Sequence, residues 1–153
     1  MNKKYLYIGG ITLAGIALIV LVWFFARSPE PSGNADRPLA ISGLNGKKVY
    51  TKDFVINSKV FGNVALLYTD SQFSINFDRT ENNFAITLSG STKAEIMEYR
   101  NKSESLLILK LGISKAETCN VSVGEIIVNY EALGLSQQVF PLSFCPGGEK
   151  FPQ

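Results

Sequence analysis

Any chemistry in this chain has to come from carboxylates, hydroxyls, amines and two thiols, because its 153 residues include no histidine. Imidazole acid–base catalysis and histidine metal ligation are therefore excluded. Paired carboxylates can act as acid and base, and Glu95 and Glu98 stand three apart in a segment read below as helix, which puts them on one face. Glu95 also follows Thr92 by three residues, the spacing of a capping box, so capping is the stronger expectation for it. Asp53, Asp70 and Asp78 each stand beside a strand-like run, where turn formation accounts for a carboxylate. No GxSxG, SxxK, P-loop or DxDxDG pattern occurs, and Gly147-Gly148 is too short to cradle a phosphate. These residues assign no catalytic site and no cofactor, and the sequence reads as non-enzymatic.

The thiols are Cys119 and Cys145. With two cysteines, no histidine and no CxxC, a metal site is not expected. Both fall in the part of the chain expected outside the cell membrane, where oxidising conditions favour a disulfide. Two buried free thiols are the alternative. A bridge would staple the end of the last strand to the end of a short helix.

The elements that carry these residues follow from periodicity and punctuation. Asn45-Gly46 between apolar positions signals a two-residue hairpin. Residues 54–56 and 64–69 are short apolar runs. Phe73, Ile75 and Phe77 alternate with polar residues, as do Phe84, Ile86 and Leu88, so these two half-buried strands should pair as a hairpin. Thr92-Lys-Ala-Glu95 then opens a helix over 93–111, with a weak point near 101–104. Residues 105–111 taken alone fit a strand, but Gly112 at a left-handed cap position and a second capping box, Ser114-Lys-Ala-Glu117, favour helix. A short helix over 115–119 follows. An alternating stretch starts at Cys119 and continues through residues 125–130, and residues 139–144 read as the final strand. The order describes an α+β domain over 39–145, a mostly antiparallel sheet with helices on one face. The turn-rich tail, 146–153, is expected to be flexible.

Charge and hydropathy place this domain. Lys and Arg number 15 and Asp and Glu 13, and two of the cations are Lys3 and Lys4 in a basic tip, residues 1–4. Past residue 27 the balance is nearly neutral, which excludes a domain that binds nucleic acid by phosphate neutralisation. Residues 5–26 hold no charge, and a helix of that length spans about 30 Å, the hydrocarbon thickness of a bilayer. Tyr5, Tyr7 and Trp23 mark its two ends, and Lys3 and Lys4 put the N-terminus in the cytoplasm. The run is longer than a signal-peptide core, and Pro29 would disfavour cleavage after Ser28. An uncleaved anchor is expected, followed by a Pro- and Gly-rich linker over 27–38.

The string Leu111-Gly-Ile-Ser-Lys-Ala-Glu-Thr-Cys119, the alternating Val121 and Val123, and Pro141-Leu-Ser-Phe-Cys145 together resemble a module of single-pass, membrane-anchored proteins from small-genome bacteria. That group has no known activity. The resemblance covers residues 73–145 and implies that Cys119 and Cys145 belong together and that 103–111 is helical. Separately, residues 10–15 resemble the processing region of a type IV pilin. A pilin would carry Glu where Gly15 stands and would continue its helix through Pro29 and Pro31.

The expected function is a membrane-anchored, extracytoplasmic interaction or structural module of the cell envelope. The alternatives are an accessory subunit of a secretion or pilus-like assembly and a small envelope hydrolase. Its partners would be the lipid bilayer and an envelope protein. Tyr50, Phe54, Phe61, Tyr68, Phe73, Phe77 and Phe84 should be mostly core, with a minority free to form a contact patch.

Overall fold

The computed structural model describes residues 38–135 and 138–148. The chain divides into two units, Met1–Ser32 and Gly33–Gln153, and the described residues lie in the second. The basic tip with Lys3 and Lys4, the 5–26 segment and all but the last linker residue lie outside the described residues. Among the described residues no helix is long and apolar enough to cross a membrane.

The domain is α+β, with two sheets. Strands β1 (Leu39–Ser42) and β2 (Lys48–Thr51) form an antiparallel hairpin. A second sheet runs in the order β3 (Lys59–Phe61), β4 (Val64–Thr69), β5 (Phe73–Asp78), β6 (Asn83–Ser89), β7 (Val123–Val128). Its first three pairings are antiparallel, and β6 and β7 are parallel. Parallel neighbours need a long crossover. Helix α1 (Lys93–Leu111) and the single turn α2 (Lys115–Thr118) supply it.

The expected β5–β6 hairpin is present, with Phe73 opposite Leu88, Ile75 opposite Ile86 and Phe77 opposite Phe84. These six side chains are buried, as the period-two pattern requires. Phe54, Phe77 and Phe84 form a ring cluster with centroids 4.5–5.2 Å apart. Helix α1 packs on β5 and β6. The Thr92 hydroxyl accepts from the Glu95 N–H, while the Glu95 carboxylate accepts from the Ser91 and Thr92 N–H groups. Gly112, at φ 65°, closes the helix by donating to the Ile108 carbonyl. That conformation is cheap only for glycine. Residues 105–111 are thus helical. There is no break near 101–104, because Arg100, Ser103 and Glu104 share the buried stripe of Ile96, Leu107 and Leu111.

Several expected elements differ. Asn45-Gly46 sits within a five-residue connection, where the Gly43 N–H donates to the Lys47 carbonyl at 2.7 Å. The two-residue hairpin loop is Gly62–Asn63 instead, joining β4 to the unexpected strand β3. Residues 54–56 form a turn because Asp53 accepts from the Val55 and Ile56 N–H groups. Strand β7 begins at Val123, after a turn at 119–120 and a single bridge from Val121 to Gly43.

The final strand expected over 139–144 is reduced to one bridge, Phe140 with Glu125. Pro141 has no N–H to continue a ladder. The tail is not free from residue 146 onward either, since Gly148 is buried and donates to the Cys145 carbonyl.

Truncating a buried ring in a closed cluster removes its transfer free energy and leaves a cavity. Phe84→Ala is expected to lower stability by roughly 3–5 kcal/mol. Denaturant unfolding followed by far-ultraviolet circular dichroism would check this. A loss below about 1 kcal/mol would show that the cluster can collapse around the missing ring.

Candidate functional site

The carboxylates singled out by spacing serve the backbone. Glu95 caps α1. Glu98 is exposed and pairs with Lys102 at 2.6 Å, so the two do not converge on a reacting centre. Asp70 accepts from the Gln72 and Phe73 N–H groups at 2.7 and 2.8 Å and from the Tyr68 hydroxyl at 2.8 Å. Its carboxyl is held below the usual range, chiefly by the Phe73 N–H. Asp78 accepts from the Thr80 and Glu81 N–H groups. Asp53, Asp70 and Asp78 therefore have the turn roles expected of them.

A cluster not anticipated from spacing lies beneath the C-terminal segment. Arg100, Glu104 and Glu125 are 1%, 4% and 0% exposed. Helix α1 supplies the first two at i and i+4, and β7 supplies the third, in register with Ile86. Arg100 Nε lies 2.5 Å from Glu125 Oε2 and 3.5 Å from Glu104 Oε1. The Arg100 Nη2 group donates to the Pro141 carbonyl at 2.5 Å and Nη1 to the Gly148 carbonyl at 3.3 Å. Glu104 accepts from the Ser143 N–H through Oε1 and from the Ser143 hydroxyl through Oε2 at 2.5 Å. Oε1 of Glu125 is buried without a hydrogen-bond partner.

Burial pushes the Glu125 carboxyl up to about 8, and the charge of Glu104 adds to the rise while Arg100 opposes it. Desolvation wins because two carboxylates face one guanidinium. Such a group is often a mark of catalysis. Here the carboxyls meet backbone, Ser143 and Arg100. Three surface clefts of about 320–380 Å³ are lined by other residues. What the arrangement does physically is fasten the C-terminal segment to α1 and β7.

The expected disulfide joins Cys119 and Cys145, with Cα atoms 5.4 Å apart. It fastens the same segment from the α2 side. The close approach continues to Gly148, where a Cβ would stand 1.8 Å from the Leu142 carbonyl oxygen. Among the described residues no group of side chains could hold a metal ion. Of the aromatic residues weighed as core or patch, Phe54, Phe73, Phe77 and Phe84 are buried, Tyr68 is half-buried, and Tyr50 and Phe61 are exposed.

A signal for the cluster was present in the sequence. Arg100 and Glu104 continue the four-residue step from Ile96 and lead on to Leu107 and Leu111. Nothing local pointed to Glu125, whose partners are 25 and 21 residues away. Comparison with known proteins adds no relative: no family model, no curated protein and no solved structure matches the chain.

Removing one partner of a buried ion pair leaves an uncompensated charge. Arg100→Met is expected to destabilise the domain by about 3–5 kcal/mol. Adding Glu125→Gln should recover part of that loss, but not all, because the Pro141 and Gly148 carbonyls still lack their donor. Equal stability of Arg100→Met and the native chain in denaturant titration would contradict the assignment. Cys145→Ser is expected to cost about 3.5 kcal/mol from the 26-residue loop closed by the disulfide. Denaturant midpoints with and without reductant check that value.

Proposed function

We propose that this chain is a membrane-anchored, extracytoplasmic module of a cell envelope that works by binding or bracing rather than by catalysis. The observation that carries the reading is the uncharged run over residues 5–26, preceded by Lys3 and Lys4 and followed by a nearly neutral chain. The N-terminus is then cytoplasmic, the helix passes the membrane once, and the 27–38 linker holds the domain off the bilayer. The Cys119–Cys145 bridge supports the same direction of export, since such bonds persist in oxidising compartments. A non-catalytic role is supported by Asp53, Asp70, Asp78, Glu95, Glu98, Glu104 and Glu125, which are engaged in a cap, turns, a surface ion pair and a closed cluster.

Beyond the bilayer, the partner is an envelope protein recognised through shape and apolar contact. Tyr50 and Phe61 are exposed aromatic groups available for such contact. The resemblance to anchored proteins of small-genome bacteria fits this reading.

Carbonate extraction of cells, with protease added to intact cells carrying a C-terminal tag, tests the topology. The chain is expected to stay with the membrane pellet and to lose its C-terminal domain to external protease. Recovery in the carbonate supernatant would refute the anchor, and protection of the tag would refute the orientation. Mass spectrometry should find the N-terminus at Met1 or Asn2, whereas processing after Gly10 would move the chain to the pilus-like class.

A further inference from the structure

We propose that residues 138–148 form a strap closed by a proton: the strap stays down while the Arg100–Glu104–Glu125 cluster holds that proton and opens when it leaves. The strap buries Phe140 and Leu142 in the apolar core, and its polar backbone and hydroxyl groups meet this cluster. Phe140 exchanges both backbone hydrogen bonds with Glu125 at 2.9 Å. Pro141 and Gly148 accept from Arg100, and Ser143 donates twice to Glu104. Cys145 is tied covalently to Cys119.

With both carboxylates ionised, the cluster has a net charge of −1 in a place closed to water, and a single proton brings it to zero. The groups facing Glu125 set this balance. Helix α1 contributes Arg100 and Glu104. Strand β6 contributes Ile86, in register with it. The strap itself carries no ionisable side chain apart from the bonded Cys145. Lys115 of α2 lies over the Phe144 ring at 5.3 Å from its centroid.

Deprotonation passes the proton to a buffer base, with no covalent or redox change. The new charge repels Glu104, whose hydrogen bonds to Ser143 hold the middle of the strap. Glu104 turns outward, water follows, and Arg100 loosens from the two carbonyls. The disulfide keeps Cys145 in place, so opening is local.

The sign follows from the raised carboxyl. Glu125 holds its proton more tightly in the closed state, at about 8 against an ordinary 4.5. The stabilisation is complete below about 4.5 and is lost as pH rises through about 8.

Hydrogen exchange of the full-length, oxidised chain in nanodiscs, measured across roughly pH 6 to 9 and corrected for intrinsic rates, tests the proposal. Protection of peptides containing Ser143 and Gly148 is expected to fall by about tenfold per pH unit from pH 6 upward and to level off near 8. Peptides from β5 and β6 should keep theirs. Glu125→Gln, which carries no titrating proton, and Glu104→Gln, which removes the repelling charge, should both keep the strap protected at high pH. Constant corrected protection in the native chain would overturn the proposal. So would the native loss persisting in either variant that folds, or a fall that levels off below about 6, far from the raised carboxyl.

Discussion

The fold of this domain turns on one guanidinium in the wrong solvent. Arg100 is buried among apolar side chains, and its donors must find acceptors or the charge becomes prohibitive. It finds them on a strand, on its own helix and on two carbonyls of a segment with little regular structure. The segment over 138–148 cannot form a ladder, because Pro141 interrupts it after one bridge. Its place is instead specified by side-chain acceptors and donors, which is why the chain continues in fixed contact as far as Gly148.

That constraint links the layers. Helix α1 has to stand where its stripe serves both the apolar face of β5–β6 and the polar cluster, so Ile96, Arg100, Glu104, Leu107 and Leu111 fall on one line. Strand β7 has to lie parallel to β6 for Glu125 to meet Arg100, and the α1–α2 crossover makes parallel pairing possible. The Cys119–Cys145 bond then joins the end of that crossover to the segment Arg100 holds. A buried ionic cluster is weak evidence for added stability. Its value here is geometric: it accepts one path of the C-terminal segment.

Local rules in the sequence accounted for much of the fold. The β5–β6 hairpin followed from strict alternation, and both capping boxes and the Gly112 cap delimited α1 at the residues observed. The cysteine pair followed from there being two cysteines in a segment expected to face an oxidising compartment. What escaped was decided by distant partners. Residues 139–144 look like a strand by composition, but past the Phe140 bridge the Pro141 carbonyl goes to Arg100 and the Ser143 N–H to Glu104. The polar run over 100–105 reads as a weak point of the helix. Only partners on β7 and in the C-terminal segment make Arg100 and Glu104 interior, while Asn101, Lys102 and Ser105 stay exposed. The Asn45-Gly46 signal was real as a turn but wrong in length, because the Leu44 N–H donates instead to the Asn120 carbonyl at 2.6 Å. The candidate site was thus half legible, as a helical stripe without its third member.

The central claim is that the buried Glu125 carboxyl, set between Arg100 and Glu104, keeps its proton near neutrality. Nuclear magnetic resonance of the glutamate side-chain carboxyl carbons, followed as a function of pH, reads this directly. One glutamate, assigned to Glu125 by its loss in Glu125→Gln, should titrate near 8. Titration of every glutamate below about 5, in the ordinary carboxyl range, would contradict it.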